Sequence, residues 1–134
     1  MGIDLYLLDT DTVSFAIRGV GSVGDRLREA EPSQIAVSVI TEAELWFGVR
    51  KLASKRLERA VVAFLSAVSV LELDRLAARS YGTLRALLEG RGTPIGIADT
   101  MIAAHALAAK RVLVTSNRRH FVRVPGLRTE DWRS

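Results

Sequence analysis

Three carboxylates, Asp9, Glu44 and Asp99, occupy positions in this sequence from which acidic side chains could do chemistry. Asp9 follows the apolar run of residues 5–8, and Asp99 stands at the opening of an alanine-rich stretch. Each also has a simpler role at a helix start, since Asp is a favoured N-cap and residues 41–44 fit a capping box that uses Glu44. Taken singly, the three residues leave capping and chemistry about equally open.

The three carboxylates are more informative when they are considered together. A parallel sheet collects the carboxyl ends of its strands, and the starts of the helices that follow, at one edge. Two carboxylates about 4 Å apart repel by roughly 4 kcal/mol at an effective dielectric constant near 20, so a cluster of three favours a bound cation. Hard divalent ions prefer oxygen ligands, so we expect Mg²⁺, with Mn²⁺ as a substitute. Such an ion near basic side chains suits phosphodiester hydrolysis.

The apolar pattern predicts the elements that must position these carboxylates. Short apolar or alternating runs predict five strands, over residues 5–8, 34–38, 68–71, 111–115 and, at an edge, 127–129. Three- and four-residue spacings predict helices between them, including two packed helices around Ser54 and a helix capped by Asp74 whose buried stripe includes Leu76. An alanine-rich helix is expected to run through Lys110. The fold class is therefore α/β, with a central, mostly parallel sheet of four to five strands and helices on both faces.

The composition is that of one ordinary globular domain over residues 1–134, with 49% hydrophobic and 25% charged residues. The absence of cysteine excludes disulfides, thiolate nucleophiles and cysteine zinc sites, and is compatible with a reducing cytoplasm. We find no signal-peptide pattern and no run long enough to span a bilayer, so we expect a cytoplasmic protein without a membrane partner. The formal net charge of +4 points mildly to RNA or to an acidic protein partner.

Four segments make the chain similar to PIN-domain ribonucleases, and in particular to the VapC toxins of type II toxin-antitoxin pairs. They are residues 7–11 (LLDTD), 38–48 (SVITEAELWFG), 95–106 (IGIADTMIAAHA) and 113–121 (LVTSNRRHF). Any one of them is a weak signal, whereas four in the family's order are specific, and they extend over essentially the whole chain. The resemblance implies a PIN-like fold, a metal-dependent endoribonuclease that inhibits translation or growth, a cognate antitoxin that blocks the site, and a homodimer.

The resemblance also implies a set of site residues. The implied metal ligands are Asp9, Glu44 and Asp99. Glu44, rather than Glu42, falls on the family's glutamate, while the family's fourth position, often acidic, falls on Asn117, with Thr115 beside it. Asparagine carries no charge, so Asn117 is expected to hydrogen-bond water or phosphate, which weakens the case for a second metal ion.

Asp11 and the two histidines are expected to stay outside this ligand set. The family usually has Asn at position 11, and Asp11 is expected to cap the first helix rather than to bind metal. At about 100° per residue, His105 points away from Asp99 on the same helix, so we expect it to pack or to lie on the surface. His120 lies just past a polar strand end and could approach a substrate, but a surface-loop residue is the simpler expectation.

The expected reaction is attack by a metal-activated water on an RNA phosphodiester, with no covalent enzyme intermediate. Arg118 and Arg119, together with Arg91 in the loop of residues 90–94, could contact the RNA backbone or bases. The simpler alternative for these arginines is a solvated surface.

Two other functions remain open on the sequence. Residues 8–13 also fit the opening motif of haloacid-dehalogenase-like phosphatases, with Asp9 as nucleophile and Asp11 as acid/base. That family needs a later lysine, and this chain has none after Thr115. The second alternative is an RNA- or partner-binding module whose metal site has decayed, suggested by Asn117 in place of an acid.

Overall fold

A five-stranded sheet forms the centre of the computed structural model, which describes residues 3–133. Its strands are β1 (Tyr6–Leu8), β2 (Ile35–Ser38), β3 (Ser69–Leu71), β4 (Val112–Val114) and β5 (Thr129–Glu130). Their order across the sheet is β3-β2-β1-β4-β5, and every neighbouring pair is parallel. This confirms the predicted α/β class, with the last strand at an edge as expected.

Helices occupy most of the connections between these strands. They are α1 (Thr10–Arg18), α2 (Val23–Glu29), α3 (Val39–Leu52), α4 (Lys55–Ala67), α5 (Arg75–Gly90), α6 (Ile97–Ala108) and α7 (Arg118–Phe121). The Asp74 side chain accepts a hydrogen bond at the start of α5, which confirms the predicted cap, and Ser54 caps α4 between the two predicted helices. Within the described residues, no helix is both long and apolar enough to cross a membrane.

Alternating strand residues supply two hydrophobic cores, one on each face of the sheet. Leu7 and Leu113 belong to the first core, with residues of α5, α6 and α7 that include Leu84, Ile102 and Phe121. The second core contains residues of β1, β4 and α1 to α4, namely Leu8, Val114, Val13, Val23, Leu45, Val49 and Val61. Because successive residues of a strand point to opposite faces, each central strand contributes to both cores. Helices therefore cover both faces of the sheet, as predicted.

Two local predictions are wrong. The helix after β2 begins at Val39, earlier than the Thr41 signal suggested, because the Ser38 side chain accepts a hydrogen bond from the Ile40 backbone N–H at 3.1 Å. Ser38 is thus the N-cap, and Glu44 lies inside the helix rather than in a capping box. Leu76, expected on the buried stripe of α5, is 61% exposed.

Candidate active site

The carboxyl ends of the parallel strands meet at one edge of the sheet. Asp9 follows β1 and Thr115 follows β4, so these two residues stand side by side beyond neighbouring strands. Glu44 is in the second turn of α3, which continues from β2, and Asp99 is in the first turn of α6. This topology agrees with the prediction that these elements meet at one edge of the sheet.

Asp9 is the buried carboxylate of the edge, with 5% of its surface exposed. It caps α1, since its Oδ1 atom accepts a hydrogen bond from the Thr12 backbone N–H at 2.9 Å. Burial raises the pKa of Asp9 to about 6, from an ordinary value of 3.8. The Asp11 carboxylate raises this pKa further, while hydrogen bonds from Thr115 and Thr12 lower it. Burial thus disfavours the ionised form of this carboxyl group, and a nearby cation would favour it.

Glu44 reaches the same region from α3. Its Oε1 atom accepts a hydrogen bond from the Thr10 hydroxyl at 2.5 Å, and the Thr10 hydroxyl lies 3.2 Å from that of Thr41. Thr10 directly follows Asp9, so this contact brings Glu44 to the residue next to the buried carboxylate. Glu42 is engaged elsewhere, accepting a hydrogen bond from the Trp46 indole at 2.9 Å.

Close polar contacts in the segment after β4 lead from Thr115, which stands beside Asp9, to Asp99. The Thr115 hydroxyl accepts from the Asn117 backbone N–H at 2.9 Å. His120 Nδ1 lies 3.0 Å from Asn117 Nδ2 and 3.3 Å from Asp99 Oδ2, and the tautomer of the ring decides which of these two contacts is a hydrogen bond. The short helix α7 creates this connection, because one helical turn brings His120 back to Asn117.

The donor set suits a hard divalent cation in kind, since carboxylate, amide and hydroxyl oxygens are all available. Over residues 3–133, however, no three His, Cys, Asp or Glu side chains converge closely enough to hold a metal as they stand. Glu44 is turned to Thr10 and Asp99 to His120, so a shared cation would compete with these two contacts. The assignment of Asp9, Glu44 and Asp99 as ligands therefore stays a prediction.

The three arginines predicted to contact RNA are exposed. Arg118 and Arg119 form the first turn of α7, directly after Asn117, and Arg91 follows α5 in the loop that leads to α6. Arg123, just beyond α7, donates to the Pro94 carbonyl oxygen at 3.3 Å and so joins these two loops. The arginines thus lie on segments that adjoin Asn117 and Asp99.

Two expectations for individual residues need correction, and one open alternative is decided. The N-cap of α1 is Asp9, and Asp11 is an exposed residue of the first turn. Of the two roles left open for Asp99, capping is excluded, because the N-cap of α6 is Gly96. His120 is not merely a loop residue but contacts Asp99 from α7. Thr10 was not predicted either, and its place next to Asp9 was the only signal that could have suggested it.

Comparisons with known proteins identify the family. The family model described as "PIN domain" matches residues 6–127 of the chain. The chain therefore belongs to the PIN-domain family.

Relatives within the family are VapC proteins. The tRNA(fMet)-specific endonuclease VapC of Salmonella typhimurium is 41% identical over 131 residues, covering 95% of this chain and 97% of that protein. Ribonuclease VapC2 of Rickettsia felis is 37% identical, covering 96% of this chain and 98% of that protein. The structure of DNA-bound VapBC from Salmonella typhimurium matches with a TM-score of 0.87 at 40% identity, covering 97% of this chain and 99% of that one. These similarities exclude the phosphatase alternative, which belongs to another family.

Proposed function

We propose that this chain is the toxin of a VapBC-type toxin-antitoxin pair, an endoribonuclease that uses a divalent metal ion to hydrolyse RNA. The observation that carries the proposal is the buried Asp9 carboxylate at the edge of the sheet, with Glu44 bonded to the adjacent Thr10 and Asp99 in contact with His120 of α7. Membership of the PIN family and the ribonuclease relatives support the reaction class.

Asp9, Glu44 and Asp99 would hold the cation, with Mg²⁺ as the expected ion and Mn²⁺ as a substitute. When bound, such a cation generates a nucleophile from water at neutral pH and stabilises the charge on the departing oxygen. The Thr12 backbone N–H orients the Asp9 carboxylate, and Thr115 stands beside it at the end of the neighbouring strand. Asn117 is held by Thr115 and offers an uncharged amide to water or to a phosphate oxygen.

The exposed arginines beside the site would hold the RNA backbone. Arg118 and Arg119 project from the turn after Asn117, and Arg91 lies on the loop before α6. Arginine binds phosphate through a planar fork of N–H donors, so these residues suit backbone contacts more than base recognition. Their removal should weaken RNA binding with little change in the preferred cleavage position.

The relatives guide the choice of substrate and partners. Because the relative from Salmonella typhimurium is named for tRNA(fMet), initiator tRNA is the first substrate to test. The neighbouring VapBC structure supports a cognate antitoxin that binds this chain and blocks cleavage. We also propose a homodimer and a cytoplasmic location, which fit a toxin that acts on RNA inside the cell.

Cleavage of initiator tRNA, and of total RNA, by the purified chain tests this function. We expect cleavage with Mg²⁺ or Mn²⁺ and none in chelator, and we expect Asp9→Ala and Asp99→Ala to abolish cleavage while remaining folded by circular dichroism. Adding the product of the adjacent reading frame should inhibit the wild type if that product is the antitoxin.

A decayed binding module is the alternative that this experiment also addresses, because Asn117 stands in place of an acid. Such a module would bind RNA equally well in chelator and would cut no RNA with any divalent ion. That result from the folded wild-type chain would overturn the proposed activity.

A further inference from the structure

His105 is a buried histidine that the proposed chemistry does not use. Its side chain is 3% exposed, and burial lowers the pKa of the ring, so the imidazole is neutral at physiological pH. Its Nδ1 atom lies 2.8 Å from the Oγ atom of Ser38, which is completely buried. Polar groups buried in this way are retained only with satisfied hydrogen bonds, so the arrangement around the ring is informative.

The Ser38 hydroxyl takes part in two contacts. Its Oγ atom accepts from the Ile40 backbone N–H at 3.1 Å and lies 2.8 Å from His105 Nδ1. A neutral imidazole has one N–H donor and one acceptor nitrogen, and a serine hydroxyl can donate or accept, so either tautomer of the ring pairs with Ser38.

This pair joins the helices that carry two of the proposed metal ligands. Ser38 caps α3, which bears Glu44 in its second turn, and His105 lies on α6 less than two turns after Asp99. Most of α3 packs in the second core, as Leu45 does, but Ile40 at its start packs against the first core, to which Ile102 of α6 belongs. Apolar contacts of this kind are non-directional. The contact between Ser38 and His105 adds a directional polar connection between the start of α3 and α6.

We propose that His105 is a positioning residue for the metal site, whose Nδ1 holds the start of α3 against α6 and thereby sets Glu44 relative to Asp99. His105 itself touches neither RNA nor the reacting atoms. The inference rests on the proposed function, since it concerns the ligands of that site.

The matched variants His105→Asn and His105→Leu test this role through Mn²⁺ binding measured without RNA. Asn places a polar amide group near the position of Nδ1, where it can bond the Ser38 hydroxyl. Leu has a similar size and no hydrogen-bonding group. Loss of a residue that orients metal ligands typically weakens metal binding 10–100-fold, so we expect the Mn²⁺ dissociation constant of His105→Leu to rise about tenfold or more. His105→Asn should remain within about threefold of the wild type, because the Ser38 contact is kept.

Ser38→Ala removes the same hydrogen bond together with the N-cap contact to the Ile40 N–H, and it provides the test if His105→Leu does not fold. Ser38→Ala should raise the Mn²⁺ dissociation constant at least as much as His105→Leu does. The dissociation constant of the double variant should not exceed the larger of the two single-variant values. Val23→Ala is the control for a general loss of stability, since Val23 is buried on α2 in the second core. It should lower the melting temperature and leave Mn²⁺ affinity unchanged.

Three results would overturn the inference. The first is wild-type Mn²⁺ affinity in folded His105→Leu or Ser38→Ala. The second is an equal loss of Mn²⁺ affinity in His105→Asn and His105→Leu. The third is a loss of Mn²⁺ affinity in Val23→Ala that equals the loss in His105→Leu. If the wild type binds Mn²⁺ and cuts RNA while the variants behave in one of these ways, only the role of His105 fails. If the wild type neither binds Mn²⁺ nor cuts RNA, the proposed function fails as well.

Discussion

Asp9 serves the fold and the proposed chemistry with one carboxylate. As the N-cap of α1 it accepts the Thr12 N–H, and as a buried group at the sheet edge it has a pKa raised to about 6. Near neutral pH its charge is therefore unfavourable in the folded chain without a cation. A cation bound beside Asp9 would reverse that cost, which links metal binding to stability.

The metal-free chain should lose stability as the pH rises from about 4 to about 6. Over this range the unfolded Asp9 loses its proton near its ordinary pKa of 3.8, whereas the folded carboxyl keeps it up to about 6. Since the folded state binds more protons, its free energy of unfolding falls by up to about 3 kcal/mol and then levels off. Urea unfolding in chelator checks this, with Asp9→Asn as the control. The difference in unfolding free energy between the wild type and Asp9→Asn should follow this pH profile, and a difference independent of pH would contradict it.

Glu44 and Glu42 form a second test at the residue scale. Glu44 bonds Thr10 beside Asp9, whereas Glu42 bonds the Trp46 indole, so only Glu44 is placed to serve the site. We expect Glu44→Gln to slow metal-dependent RNA cleavage about 100-fold or more, and Glu42→Gln to change it less than about threefold. Cleavage rates at saturating Mn²⁺ measure both. An active Glu44→Gln, or equal losses in the two variants, would remove Glu44 from the ligand set.

Single residues were predicted well where their position in the sequence determined their place in the fold. Asp9 and Thr115 end strands, so the parallel sheet alone brings them to one edge. His120 was missed because its contact with Asp99 depends on α7, a helix of four residues that has too short a pattern to recognise. The choice between Asp9 and Asp11 as the cap depends on where helix α1 begins, and helix boundaries are poorly specified by sequence.

At the scale of elements, the pattern predicted the strands and the long helices but not every boundary. The start of α3 was placed late because Val39 and Ile40 are β-branched and continue the strand pattern of β2, while tertiary packing and the Ser38 cap make them helical. Leu76 fits the spacing of the buried stripe of α5, yet 61% of it is exposed. The spacing gives the phase of a helix but not the width of the surface that packs against it.

The start of α6 depends on a glycine. Gly96 is the N-cap, with φ of 95° and ψ of 156°, a conformation that side chains strongly disfavour. Gly96→Ala should therefore lower the free energy of unfolding by about 1–3 kcal/mol, although a Cβ there would meet nothing within 4 Å. The matched control is Gly48→Ala inside α3, also with open space, which should raise stability by about 0.5–1 kcal/mol. Chemical unfolding measures both, and a neutral Gly96→Ala would contradict the strain argument.

At the scale of the whole molecule, one sheet separates two hydrophobic cores, and Asp9 lies at the carboxyl edge of that sheet. Because a cation would bind the folded edge and not the unfolded chain, metal should stabilise the protein. At Mn²⁺ about 100-fold above the dissociation constant we expect about 2.7 kcal/mol, which raises the melting temperature by roughly 5–15 °C. Thermal unfolding with Mn²⁺ and with chelator checks this. Asp99→Ala should lose most of the shift, and a shift of full size in that variant would argue against Asp99 as a ligand.

The central claim is that the edge around Asp9 is a metal site maintained for RNA cleavage, at some cost in stability. The most direct measurement compares wild type and Asp9→Asn for Mn²⁺-dependent cleavage of RNA and for unfolding in chelator at about pH 7.5. We predict that Asp9→Asn is at least as stable as the wild type and yet cleaves RNA about 100-fold more slowly or not at all. A stable Asp9→Asn variant that cuts RNA at the wild-type rate would contradict the claim.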